Sequence, residues 1–313
     1  MAGRHGIAIR IFHTQHIIMY MVKKSFRSAS CFVTLLSFAL LTLTVSCAGN
    51  TPVGKDNITV SIEPLRYVME SIAGDRYNIN VLTPAGASPE TYQLTPQQLT
   101  QLRESRMYVR MGTLGFESNQ LNKITESIPH IFSVKALAGL TPLWKEGYGS
   151  ESDSINTDPH TWTSPINMKT IAKNICEALC EMDTTNRELF SHNMKHFSEH
   201  MDSIDASVRQ MLADVPTRSF LVYHPSLGYF ARDYGLRQIS LEHNGKSPSA
   251  ERMERLVKQC REDSVRVIFL QKEYSERSVR AIAEELDAKI VVVNPLSYDW
   301  NTEILNIAKA LSR

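Results

Sequence analysis

The sequence predicts an α/β protein of two lobes, each a parallel sheet with flanking helices, joined by one long rigid helix. Three observations carry that reading. Short β-rich runs alternate with amphipathic stretches, which implies right-handed βαβ units. One stretch interrupts the alternation, with Phe190, Met194, Phe197, Met201, Ile204, Val208 and Met211 recurring at spacings of four and three. The chain's 313 residues also exceed what a single hydrophobic core usually serves. A content of 42% hydrophobic and 21% charged residues excludes a mostly disordered or collagen-like chain.

The N-terminus is set apart by charge. Residues 1–46 hold Arg4, Arg10, Lys23, Lys24 and Arg27 and no acidic residue, which leaves 29 basic against 33 acidic residues in the remainder. That body has no basic excess with which to follow nucleic-acid phosphates. Lys23, Lys24 and Arg27 precede an uncharged run from Cys31 to Val45, too short for a membrane span of roughly 20 residues but suited to a secretory signal. Ser46-Cys47 followed by Ala48, Gly49 and Asn50 resembles a bacterial lipobox, with Cys47 as the acylated first residue of the mature chain. Residues 1–46 therefore read as a signal peptide, its true start at Met21 or Met19, and residues 47–56 as a lipid-anchored tether.

From Asn57 the elements are expected in order. Strand Ile58–Ile62 precedes a helix Pro64–Ala73; strand Tyr77–Leu82 precedes a helix Pro96–Glu104; strand Met107–Met111 is followed by the stretch Phe116–Ser127 and strand Ile131–Val134. A Gly/Ser/acidic loop, 139–158, gives way to a helix from Pro165 to about Met182 capped by Ser164 or a neighbour. The long helix then runs for roughly 30 residues until Pro216 stops it. Alternation resumes with strands at Phe220–Tyr223, Ile239–Leu241, Val265–Leu270 and Ile290–Val293. The helices between and after them are Leu227–Tyr234, Ser249–Arg261, Glu276–Leu286 and Thr302–Leu311. The boundaries are thus 57–183 for the first lobe, 184–215 for the linking helix and 216–313 for the second lobe.

Enzyme signatures fail letter by letter. Gly245-Lys246-Ser247 lacks the upstream glycine of a phosphate loop, and His224-Pro225-Ser226-Leu227-Gly228 has histidine where a nucleophile elbow needs glycine. Cys176 and Cys180 read as small hydrophobes on one buried helix face. His192, His196 and His200 are spaced to reach one ion, yet they lie away from the Phe/Met seam and read as a solvated face.

What survives is a set of loops at the carboxyl ends of strands, where open α/β sheets bind ligands. They are Ser88-Pro89-Glu90-Thr91-Tyr92, Asp158-Pro159-His160-Thr161-Trp162, Tyr223-His224-Pro225 and Val293-Asn294-Pro295-Leu296. Together with Pro84-x-Gly86-Ala87 and Gly228-Tyr229-Phe230-Ala231, in this order from Ile58 to the end, they resemble the cluster A-I metal-binding proteins of zinc and manganese ABC importers, the TroA/ZnuA-like family. That resemblance implies one Zn²⁺ or Mn²⁺ ion held in the cleft between the lobes and delivered to an ABC-importer permease with its ATPase. It implies a monomer in the cell envelope, anchored outside the cytoplasm by lipid, and no enzyme.

Residue by residue, the resemblance puts His160 and His224 at two histidine ligand positions. Glu90 stands where zinc members usually have His, Asn294 where many have an Asp ligand, and Gln271 where zinc proteins of this type often show Glu. Two imidazoles and a carboxylate suit a divalent first-row ion. The loop 139–158 carries no histidine, unlike the His-rich loop of many zinc importers. The rival readings are a surface adhesin with a structural metal, and a mononuclear metallohydrolase with Glu273 or Asp299 as base.

Overall fold

The computed structural model describes residues 54–143, 157–242 and 248–312. The proposed leader 1–46, Cys47, most of the loop 139–158 and Gly245-Lys246-Ser247 lie outside the described residues.

The first lobe runs β1 (Asn57–Val60), α1 (Glu63–Ala73), β2 (Asn78–Val81), α2 (Pro96–Arg103), β3 (Met107–Arg110), α3 (Asn122–Glu126) and β4 (Phe132–Lys135). Its sheet is wholly parallel in the order β2-β1-β3-β4, with Val60 beside both Val81 and Val109. Helices cover both faces of such a sheet, so Ile58, Val60, Tyr108 and Val109 are all buried, whichever face they point to. On α1, Leu65, Val68, Met69 and Ile72 form one buried stripe, each contributing roughly 1.5–3 kcal/mol. Pro64 opens that helix, and Gly74, at a φ of 64°, ends it. Thr95 and Gln98 make a reciprocal capping box at the start of α2.

Helix α4 (Pro165–Met182) begins as the sequence indicates, the Ser164 hydroxyl accepting the Asn167 amide at 3.0 Å. Helix α5 (Arg187–Met211) is shorter than the sequence suggests, 25 residues or about 37 Å at the standard rise. A residue before proline is pushed out of the helical region, so the chain unwinds through a turn ahead of Pro216. The stretch 116–127 also differs from a plain amphipathic helix. It opens with a π turn, Glu117–Leu121, because the Glu117 carboxylate turns inward to accept the amides of Met111 and Gly112 beyond β3.

The second lobe comprises β5 (Ser219–Val222), α6 (Gly228–Asp233), β6 (Arg237–Ser240), α7 (Ala250–Glu262), β7 (Val267–Gln271), α8 (Arg280–Leu286), β8 (Lys289–Val293) and α9 (Trp300–Leu311). It repeats the parallel order as β6-β5-β7-β8. In each sheet the chain leaves the first strand to one side and then crosses to the other, which creates a topological switch point at the carboxyl ends.

Helix α9 packs on α5 and returns to the first lobe at Tyr67 of α1. Trp300 stacks on Tyr67 with ring centroids 6.4 Å apart, and the Tyr67 hydroxyl donates to Asn301 Oδ1 at 3.0 Å. One buried cluster consequently runs from the first sheet through α4 and α5 to Phe220, Phe269 and Trp300, while a second lies behind β5–β8 around Leu221, Leu256 and Ile268. Cys176 lies on the buried face of α4, where burial and then the neighbouring Cys180 push its thiol up to about 12. Among the described residues no helix is long and apolar enough to cross a membrane.

Candidate metal centre

Each lobe delivers side chains from loops beyond its strands. Glu90 sits in the turn after β2, where the amides of Thr91 and Tyr92 both donate to the Ser88 carbonyl. Across from it the backbone at Gly115 passes so close to the Glu90 carbonyl that a Cβ there would collide with it, and the Phe116 amide donates to the Pro89 carbonyl at 3.4 Å. The Glu117 carboxylate, in turn, fixes the segment that carries Gly115.

His160 is braced by its own motif. Asp158 Oδ1 accepts the His160 amide at 2.9 Å and lies 2.7 Å from its Nδ1, an Asx-type turn that spends one ring nitrogen and leaves Nε2 facing out. Trp162, two residues on, packs its ring 5.2 Å from the imidazole and donates from Nε1 to the Pro295 carbonyl at 2.8 Å.

His224 lies just past β5, at the second sheet's switch point. Its Nδ1 meets Glu242 Oε2 at 3.1 Å, and Tyr274 stacks near its ring. Burial by itself would lower the imidazole's pKa, but the hydrogen-bonded carboxylates of Glu242 and Glu90 outweigh it and raise the value to about 9. Nearby, burial raises the Glu273 carboxyl, while the field of His224 and His160 works against that rise.

The three side chains converge. His160 Nε2 and His224 Nε2 are 3.3 Å apart, and Glu90 Oε1 lies 4.0 Å from the first and 3.6 Å from the second. A point equidistant from these atoms lies about 2.1 Å from each, within the 2.0–2.2 Å range of zinc bonds to nitrogen and carboxylate oxygen. Among the described residues this is the one His/Cys/Asp/Glu group so clustered. The imidazoles are buried, while the Glu90 side chain keeps 31% exposure.

The other two candidates are placed differently. Gln271 turns its amide onto the backbone of His224, with Oε1 accepting the His224 amide at 3.2 Å and Nε2 donating to the His224 carbonyl and to Ser226 Oγ. Asn294 Oδ1 accepts the Leu296 amide at 3.3 Å, closing a local turn. Asp299 caps α9. Sequence reasoning assigned no role to the carboxylate of Asp158 and overlooked Glu242; the Asp-Pro-His spacing signals the first, and only strand register signals the second.

Comparison with known proteins gives the family. Residues 58–304 match the family described as the periplasmic zinc-uptake complex component A. A solved structure described as a crystal structure of ZnuA is 35% identical, superposes with a TM-score of 0.76, and is matched over 82% of this chain and 98% of its own. The iron-binding protein YfeA of Yersinia pestis is 26% identical over 87% of this chain and 89% of its own length. The high-affinity zinc uptake system protein ZnuA of Bacillus subtilis is 24% identical over 86% of each. The chain belongs to the zinc-uptake component A family, whose members are metal-binding transport components and not enzymes.

Proposed function

We propose that this member of the zinc-uptake component family captures a divalent transition metal ion between its lobes, through Glu90, His160 and His224, and hands it to an ABC-importer permease outside the cytoplasm. The observation that carries the reading is the convergence of two imidazole Nε2 atoms and one carboxylate oxygen, drawn from three separate loops, at the spacing of a single coordination shell.

The donor set fits a borderline ion. Two neutral imidazoles favour zinc, and one carboxylate keeps manganese or ferrous iron within reach. The relatives' names divide likewise, zinc uptake for the Bacillus subtilis protein and iron binding for that of Yersinia pestis. Zinc is our first assignment. No bond is made or broken in the cycle. Asp158 and Glu242 hold the two Nδ1 atoms so that both Nε2 lone pairs address the cleft, which spares the ion the work of orienting its ligands. Gln271 serves the backbone that carries His224. A lipid on Cys47 would keep the protein beside its permease, whose ATPase would drive the conformational bias that releases the ion.

Elemental analysis of metal retained after native purification, paired with competition titration of zinc and manganese, tests the proposal. We expect about one tightly held ion per chain, and His160→Ala or His224→Ala to weaken binding at least about tenfold, about 1.4 kcal/mol. Undiminished affinity in both variants would refute the cleft site.

A further inference from the structure

A second group of imidazoles lies on the outer face of α5. His192 and His196 are one helical turn apart, both exposed, with Nε2 atoms 3.1 Å apart and ring centroids 4.4 Å apart. Residues four apart share a helix face, so the backbone itself sets this spacing, and forming a chelate requires no tertiary rearrangement. On the far side of the His196 ring, Glu199 Oε2 approaches Nδ1 at 3.6 Å. At that range the contact is electrostatic and not a hydrogen bond, and the carboxylate's charge favours the tautomer with its proton on Nδ1 and a free Nε2 lone pair.

From this geometry we propose a second metal site, a two-imidazole chelate formed by His192 and His196, whose ligand class is a divalent ion that favours ligand angles near 90°, copper(II) or nickel(II). Two nitrogens 3.1 Å apart, each about 2.0–2.1 Å from one ion, subtend about 95–100° at it. That bite is narrower than a tetrahedron asks for and close to that of tetragonal copper(II) and nickel(II). The affinity order for nitrogen sites points the same way, copper(II) standing above zinc. Water fills the remaining positions, since the His196 side chain is 62% exposed. The chelate is independent of the cleft reading, drawing on none of Glu90, His160 and His224.

The experiment is a copper(II) titration of the purified protein, followed by electron paramagnetic resonance, on wild type, the His192→Ala/His196→Ala double variant and His200→Ala. These positions are exposed on a helix, where alanine is the best helix former, so the variants fold. Wild type and His200→Ala should bind about one more equivalent of copper(II) than the double variant, and that extra ion should show coupling to two equatorial nitrogens. Single variants should lose at least about tenfold in affinity for it. Copper taken up by the cleft appears equally in every protein and cancels in the difference. Equal stoichiometry in wild type and double variant overturns the proposal, as does an extra ion whose spectrum lacks two coupled nitrogens.

Discussion

In the metal-free cleft the ion's competitor is a proton on His224. The imidazole is buried, which alone would favour the neutral form, yet Glu242 at 3.1 Å and Glu90 at 3.6 Å reverse the balance and raise its pKa to about 9. The sign follows directly: a base that holds its proton up to about pH 9 must lose it to coordinate, so below that pH binding releases a proton and affinity climbs with pH. For one proton released the climb is about tenfold per pH unit below the His224 pKa, so near neutral pH the site binds more weakly than at its alkaline limit. Calorimetric titration of zinc into metal-free protein near neutral pH, in several buffers of different ionisation enthalpy, counts the protons released. We expect about one from His224 in wild type. Glu242→Gln keeps a hydrogen-bond acceptor at Nδ1 and removes the charge, so it should cut that count by half or more and flatten the dependence of affinity on pH. A wild-type affinity that does not change between about pH 6.5 and 8.5, or a proton count unaffected by Glu242→Gln, would refute the reasoning.

Three further outcomes are expected. Glu90→His replaces a hard, charged donor by imidazole and should raise the ratio of zinc to manganese affinity, measured by competition titration in one buffer; an unchanged ratio would mean that Glu90 does not touch the ion. Gly115→Ala places a methyl group against the Glu90 carbonyl, so it should shift the Glu90 loop and weaken zinc binding about tenfold while leaving His160 and His224 in place; unaltered affinity would show that the loop gives way freely. Cys47→Ala should release the protein from the membrane fraction, and intact-mass analysis of the wild type should find acyl mass on an N-terminal cysteine; persistent membrane attachment of the variant would remove the anchor from the account.

What was legible in the sequence was whatever depends on near neighbours. The helix α4 shows itself through Ser164-Pro165 and a periodic apolar face, and His160 through an Asp-Pro-His turn whose parts touch within three residues. Glu242 was hidden because its meeting with His224 is a matter of register. Val222 pairs with Ser240, so residues 224 and 242 each lie two positions past the same rung and emerge side by side. The same logic redirects Gln271. Val222 also pairs with Phe269, which sets residue 271 beside residue 224 on the neighbouring strand, where its amide meets the His224 backbone. Glu117 was likewise illegible: nothing in an amphipathic stretch signals that its carboxylate will turn inward and hold the loop beyond β3.

These contacts limit how the cleft can open. The indole of Trp162 donates to the Pro295 carbonyl and that of Trp300 donates to the Trp162 carbonyl, both at 2.8 Å, so the loop carrying His160 is tied to the end of β8 and the start of α9. The buried cluster continues through the same tryptophans from the first sheet to Phe220 and Phe269. Swinging the lobes apart would break both hydrogen bonds and bring large buried side chains into water, at roughly 1.5–3 kcal/mol apiece. The Glu90 side chain is the most exposed of the three, and its loop is held by backbone contacts at Gly115 and Phe116 and by the Gln120 amide donating to the Tyr92 carbonyl at 2.9 Å. On the proposed function, the two imidazoles stay tied between the lobes, and the Glu90 side is where water and a permease would reach the ion.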